Sequence, residues 1–189
     1  GDLMVHIINN PNSERSLLSL CLNNADLLVE VESNEVYSQH FTIPAHRHIF
    51  TAMMYLYSKG TKPSPLSIME VITDKKAKEE IENFGGLSYI EDMSLMDIDK
   101  SNLKIFCAKI KQTYARKELY DVCETAKNFM LSDESEKLNP SELVGQIENK
   151  LTEIANSAIN ETSVYKMGTD LQQRLEERAK QPTLVAGLQ

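Results

Sequence analysis

The stretch SNLKIFCAKIKQTYARKELYDVCETAKNFM (Ser101–Met130) decides the fold class of this chain. Neither glycine nor proline interrupts it, and its apolar side chains recur every three or four residues, the spacing of one helix face. These apolar positions are Leu103, Phe106, Ile110, Tyr114, Ala115, Leu119, Val122, Ala126 and Phe129. Thirty helical residues would extend about 45 Å. The pattern predicts one long helix with Asn102 as its N-cap.

A second helix is predicted directly after the long one. The polar segment Asp133–Asn139 separates the two, and Pro140 opens the second helix. Its apolar positions again follow helical spacing: Leu143, Ile147, Leu151, Ile154 and Ala158. Two helices joined by a short polar loop form an antiparallel hairpin. In that hairpin Lys117 would lie near Glu153 and Lys111 near Glu161, exposed pairs worth about 0.2–1 kcal/mol each.

Shorter helices are predicted before the long one. Asn12 and Ser13 are expected to cap a first helix that ends near Asn23, and no segment alternates in the manner of a strand. The other predicted helices are Asp26–Val31, Ala45–Lys59 with Pro44 in its first turn and Gly60 after its end, Leu66–Thr73, Lys75–Asn83 and Leu87–Leu95. We therefore predict an all-α chain with a helical head at residues 1–97 and a helical hairpin at 98–160.

The remaining segment, residues 161–189, is predicted to be a linker helix. Thr169 or Asp170 can cap it, Pro182 ends it, and its apolar face carries Leu171, Leu175 and Ala179. An isolated helix of about a dozen residues is marginal in water, so we expect it to dock on a neighbouring subunit; disorder is the alternative. The last residues, KQPTLVAGLQ, run into an apolar strand start. We expect a catalytic domain to follow beyond Gln189.

The composition restricts the classes of protein to which the chain can belong. The chain has 189 residues, a net charge of −8 and a pI near 5.1, which argues against a dominant phosphate-binding surface. Its odd set of cysteines, Cys21, Cys107 and Cys123, indicates reduced thiols in a cytoplasmic protein. The apolar runs are too short to span a bilayer, so we expect no membrane contact.

The usual catalytic and metal-binding patterns are missing from the sequence. His46 and His48 are two residues apart on a predicted helix and so point to different faces; a polar contact for one and exposure for the other is the preferred interpretation. The acidic residues Glu91, Asp92, Asp97 and Asp99 fit helix capping and solvation. The chain contains no Gly-Lys dipeptide and therefore no phosphate-binding P-loop. We expect no catalytic, cofactor or metal residue.

The hairpin predicts self-association. A 45 Å arm outreaches a head of about 95 residues, and one partner helix buries only one seam of its apolar surface. The residues expected at a subunit or partner interface are Ile110, Tyr114, Leu119, Val122, Phe129, Leu143, Ile147 and Leu151. The competing interpretation is that the hairpin folds back onto its own head.

An ordered set of motifs resembles the N-terminal part of the DnaB-family replicative DNA helicases, including phage-encoded members. The segments that carry the resemblance are PNSERSLLSLCL (Pro11–Leu22), HFTIPAHRHIF (His40–Phe50), FGGLSYIEDM (Phe84–Met93), SNLKIFCAKIKQTYARKEL (Ser101–Leu119) and VAGLQ (Val185–Gln189). The last of these looks like the entry to the family's RecA-like motor domain. Each motif alone is weak, whereas their order covers essentially the whole chain.

The resemblance implies a non-catalytic module that pairs into dimers and joins other pairs in a hexameric ring collar. It implies docking of primase and of a helicase loader. ATP and Mg²⁺ would bind in the motor domain, which would also make the contacts with DNA, in the cytoplasm of a bacterial host. Two other functions stay open: a free-standing helical adaptor or regulator of phage replication or transcription, and a nucleic-acid-binding domain that uses Lys104–Lys117.

Overall fold

The computed structural model describes residues 9–149 and 151–152. Within these residues every regular element is a helix, which confirms the all-α prediction. The chain divides into two compact units between Asp121 and Val122. This division falls inside the long helix, whereas the sequence suggested a boundary at residues 97 and 98.

The first unit contains six helices and most of a seventh. They are α1 (Pro11–Asn23), α2 (Leu27–Ser33), α3 (Pro44–Ser58), α4 (Pro65–Val71), α5 (Lys75–Glu82), α6 (Gly86–Ser94) and α7 (Leu103–Met130), with short 3-10 turns at Ser38–His40 and Lys100–Asn102. Every predicted helix end in this part of the chain lies within two residues of the observed one. At 28 residues, α7 is about 42 Å long, which confirms the long uninterrupted helix.

The helix ends correct one predicted cap. Asn10, not Asn12 or Ser13, caps α1: its side-chain oxygen accepts from Ser13 N–H at 3.1 Å. The reason is Pro11, whose fixed φ and missing N–H suit the first helical position, so that the cap must be the residue before it. Asn102 directly precedes Leu103, the first residue of α7, so its role as the N-cap of that helix stays a prediction. It also ends a 3-10 turn that Asp99 caps by accepting from Ser101 N–H at 2.9 Å.

Glycine ends α3 as predicted. Gly60 has a φ of +73°, a left-handed conformation that costs glycine little because it has no Cβ. This conformation lets Thr61 N–H donate back to the carbonyl oxygen of Leu56 at 2.9 Å, which satisfies an acceptor at the helix end.

All seven helices contribute to one apolar core in the first unit. Its fully buried side chains include Leu17, Leu18, Leu28, Ile49, Met53, Ile68, Ile81, Ile90 and Met93. Leu103, Cys107 and Ile110 of α7 belong to the same core. The start of the long helix is therefore part of the head, and the head itself covers the first part of the apolar stripe that was expected to need a partner.

The second unit, as far as it is described, contains the end of α7, a short helix α8 (Asp133–Glu136) and α9 (residues 140–149). The segment predicted as a polar loop thus contains a helical turn, where Ser135 Oγ lies 2.8 Å from the carbonyl oxygens of Met130 and Ser132. The start of α9 is fixed by a reciprocal cap: Asn139 Oδ1 accepts from Glu142 N–H, and Glu142 Oε2 accepts from Asn139 N–H, both at 3.0 Å.

The predicted cross-hairpin ion pairs involve Glu153 and Glu161, which lie outside the described residues. Their expected partners have other contacts: Lys117 pairs with Asp121 four residues on, and Lys111 Nζ donates to the carbonyl oxygen of Asn34 at 2.8 Å. Among the helices that the structure describes, none is both long and apolar enough to span a membrane.

Candidate interaction surface

The predicted interface residues on α7 differ in their surroundings. Ile110 is 1% exposed and packs in the head core, so its side chain is not available to a partner. Tyr114 is half-buried, with its ring edge-on to that of His40 at 5.0 Å between centroids. Leu119, in contrast, is 65% exposed, and Tyr120 beside it is also exposed. The free apolar surface of α7 in the first unit thus includes Leu119 and Tyr120.

In the second unit the predicted interface residues are partly covered. Val122 is buried, Phe129, Leu143 and Ile147 are half-buried, and Leu151 is exposed. Three exposed apolar side chains nearby were not predicted: Met130, Leu131 and Val144. Met130 and Leu131 follow Phe129, the last position of the apolar pattern on α7. Val144 directly follows Leu143, a position of the apolar pattern on α9. A leucine directly after a helix end was the available signal.

The predicted linker residues Leu171, Leu175 and Ala179 lie outside the described residues.

A buried polar cluster in the head was not predicted. The carboxylate of Glu14 is 1% exposed and accepts from Thr42 N–H and from Thr42 Oγ1–H, each at 2.7 Å, and from Ile43 N–H at 3.4 Å. His46 Nδ1 lies 2.8 Å from Glu14 Oε2, the oxygen that also accepts from Ile43 N–H, and His46 is fully buried. These four donors surround a group that can only accept hydrogen bonds when ionised.

The cluster continues from His46 towards the surface. His46 Nε2 lies 2.7 Å from the hydroxyl oxygen of Tyr89, and the two rings stack nearly parallel. The Arg15 guanidinium sits over the Tyr89 ring at 5.2 Å, and the half-exposed Phe84 packs against both Tyr89 and His46. Burial raises the pKa of Tyr89, with Arg15 lowering and Glu14 raising it, so its hydroxyl is neutral at pH 7.

This arrangement orients aromatic side chains at the surface of the head. The buried carboxylate holds His46, and His46 holds the hydroxyl of Tyr89, so the aromatic pair Phe84 and Tyr89 has a defined orientation. Arg15 Nε is buried without a hydrogen-bond partner among the described residues. Aromatic side chains and arginine are the residues enriched at protein interfaces. We call Arg15, Phe84 and Tyr89 the aromatic surface.

The other singled-out polar residues have structural roles. His48 Nε2 lies 2.6 Å from Glu80 Oε2, with both side chains about 30% exposed, so His48 is paired rather than fully exposed. Asp99 caps the turn before α7. Helix capping was the role predicted for the acidic residues between positions 91 and 99. Across residues 9–149 and 151–152, no three His, Cys, Asp or Glu residues are placed to hold a metal ion.

A family model described as DnaB-like helicase N terminal domain matches residues 7–112 of the chain. The chain belongs to this family. Among curated proteins it is 26% identical over 167 residues to the replicative DNA helicase DnaB of Rickettsia felis and 27% identical over 168 residues to that of Rickettsia prowazekii. Each comparison covers 88% of this chain and 33% of the relative, so the chain spans about a third of the length of these relatives.

A solved structure supports the fold of this DnaB-like domain. The N-terminal domain of DnaB helicase from Mycobacterium tuberculosis matches with a TM-score of 0.62 at 15% identity, over 78% of this chain and 98% of that one. The family match includes the aromatic surface and the start of α7 up to residue 112. Leu119, Leu131 and Val144 follow this matched range.

Proposed function

We propose that this DnaB-like domain is a non-catalytic assembly and partner-docking module of a hexameric, ATP-dependent replicative DNA helicase. The observation that carries the proposal is the family match together with exposed apolar side chains on α7, directly after its end and on α9. Copies pair through this surface, and pairs close into a ring. ATP and Mg²⁺ bind in the helicase's motor domain, and the helicase works in the bacterial cytoplasm.

Self-association is supported by Leu119 and Leu131, which are 65% and 77% exposed. Leucines left in water on a long helix and at its end favour burial against another copy, since each fully buried side chain contributes about 1.5–3 kcal/mol. Tyr120 and Val144 enlarge the apolar surface of their respective units. The linker residues 171, 175 and 179 are proposed to dock on a neighbouring subunit in the same assembly.

The test of self-association is a matched pair of charge substitutions on α7. Leu119→Glu places a carboxylate in the proposed interface, whereas Gln112→Glu adds the same charge at another exposed position of the helix. Light scattering should show a smaller mass for Leu119→Glu and the parent mass for Gln112→Glu, with unchanged helical content by circular dichroism. Equal masses for both variants would show that Leu119 is not part of the interface.

Partner docking is proposed at the aromatic surface. Its preorganised rings lower the entropy lost on binding, and its composition is that of binding hot spots. We infer that primase or a helicase loader binds there. Phe84→Ala should weaken binding of purified primase or loader at least tenfold in calorimetry. The control is Tyr55→Ala, an exposed aromatic of α3 in contact with Lys59, which should leave the affinity unchanged. If Tyr55→Ala alone weakened binding, the docking surface would lie at Tyr55 and not at the aromatic surface.

The basic residues of α7 support a nucleic-acid interface less well. Lys111 and Lys117 have partners within the chain, an Asn34 carbonyl and the Asp121 carboxylate, and the net charge of the whole sequence is −8. Any contact with DNA is therefore proposed for the motor domain. Binding of single-stranded DNA to this domain with a steep salt dependence would contradict this proposal.

A further inference from the structure

Two contacts one helical turn apart attach α7 to the same connecting segment of the head. Lys111 Nζ donates to the carbonyl oxygen of Asn34 at 2.8 Å, and the Tyr114 ring meets the His40 ring edge-on with 5.0 Å between centroids. Asn34 and His40 both lie between α2 and α3. The segment between α2 and α3 therefore holds α7 at two adjacent points beyond the core residue Ile110.

The hydrogen bond to His40 determines which ring nitrogen carries its proton. Tyr37 N–H donates to His40 Nδ1 at 2.9 Å, so Nδ1 must present a lone pair. The neutral ring then has its hydrogen on Nε2, and a second proton can bind only at Nδ1. That proton would face the Tyr37 N–H and break the bond that orients the ring towards Tyr114.

We propose that His40, Tyr114 and the Lys111–Asn34 bond form a proton-sensitive latch that holds α7 on the head while His40 is neutral and releases it when His40 is protonated. An imidazolium ring at this position would also lie close to the Lys111 ammonium of α7. The rings of Tyr114 on α7 and of Tyr37, which precedes the 3-10 turn, lie 5.0 Å and 5.7 Å from the His40 ring between centroids. Burial raises the pKa of the nearby Cys107 thiol to about 11, with Lys111 lowering it and Glu30 of α2 raising it.

The pKa of His40 agrees with this geometry. Burial, and then the charge of Lys111, lower the pKa of His40 from 6.5 to about 4. Because the pKa in the folded state lies below that in the unfolded chain, neutral His40 stabilises the latch above pH 6.5. This stabilisation is lost as the pH falls from 6.5 to about 4. The shift corresponds to a change of up to about 300-fold in the latch equilibrium.

Histidine NMR titration and amide hydrogen exchange on the full chain test the latch. We expect His40 to titrate near pH 4. Protection factors of amides 107–118 should fall between pH 6.5 and 4 by up to about 80-fold. The amides of α3 should keep their protection over the same range. These measurements need no substitution, so they stand even if a variant fails to fold.

Two variants separate the latch from general acid sensitivity. His40→Asn keeps an acceptor near the position of Nδ1 but binds no proton, so its α7 protection should not change with pH. His48→Asn, at the half-exposed histidine paired with Glu80, should behave like the parent. A His40 that titrates at 6.5, or the same pH-dependent loss of protection in His40→Asn, would overturn the proposal.

Discussion

Removal of the Glu14 carboxylate should destabilise the head far more than removal of a surface carboxylate. In Glu14→Ala, Thr42 N–H, Thr42 Oγ1–H and the His46 ring lose an acceptor that lies within 2.8 Å of each in the parent. A buried donor left without a partner costs roughly 1–3 kcal/mol. Because three buried donors lose their acceptor at once, we expect a total loss of about 3–5 kcal/mol.

Urea denaturation followed by circular dichroism at a fixed protein concentration measures this loss. A domain of this size has a free energy of unfolding of roughly 5–15 kcal/mol, so a loss of about 3–5 kcal/mol should shift the midpoint strongly. Glu80→Ala is the matched control because Glu80 pairs with a histidine at the surface, and it should cost about 1 kcal/mol or less. A loss below about 1 kcal/mol in Glu14→Ala would refute the stabilising role of the buried cluster.

Three further outcomes are expected. Ile110→Ala should lower the free energy of unfolding by about 2–5 kcal/mol, since it leaves a cavity in the head core; a loss near zero in urea titrations would contradict its burial. Gly60→Ala should cost about 1 kcal/mol by thermal unfolding because its φ of +73° is strained for alanine; an equally stable variant would show that the turn rearranges. The purified chain should release no phosphate from ATP, because its sequence contains no Gly-Lys dipeptide, and turnover that survives repurification would contradict this.

The positions of the helices could be predicted because their signals are local. Apolar spacing marked each helix, and Pro44 and Gly60 marked the two ends of α3, which the structure confirms within two residues. The error at the first cap was one of detail, because a proline at the first helical position makes Asn10 the cap.

Periodicity could not predict which part of the long helix packs against the head core. Ile110 and Leu119 belong to the same apolar pattern, yet Ile110 is buried in the head core and Leu119 is exposed. Spacing shows that side chains share a face but not which other element packs against each part of it. The division of the chain at Asp121, inside a continuous helix, has no signal in the sequence for the same reason.

The buried polar cluster was missed because its members are far apart in the sequence. Glu14, Thr42, His46 and Tyr89 come from α1, the segment before α3, α3 itself and α6. One signal was present: Glu14 precedes Leu17 and Leu18 by three and four residues, which places a carboxylate on the apolar face of α1. An acidic residue on such a face needs buried donors, but the sequence alone does not identify them.

The mass of the purified chain in solution, measured by sedimentation equilibrium over a wide concentration range, tests self-association most directly. One copy has a mass of 21.4 kDa. We expect a mass at least double this value at high concentration, reduced by Leu119→Glu. A parent chain that sediments as a single copy at every concentration would contradict pairing through α7 and the helices after it.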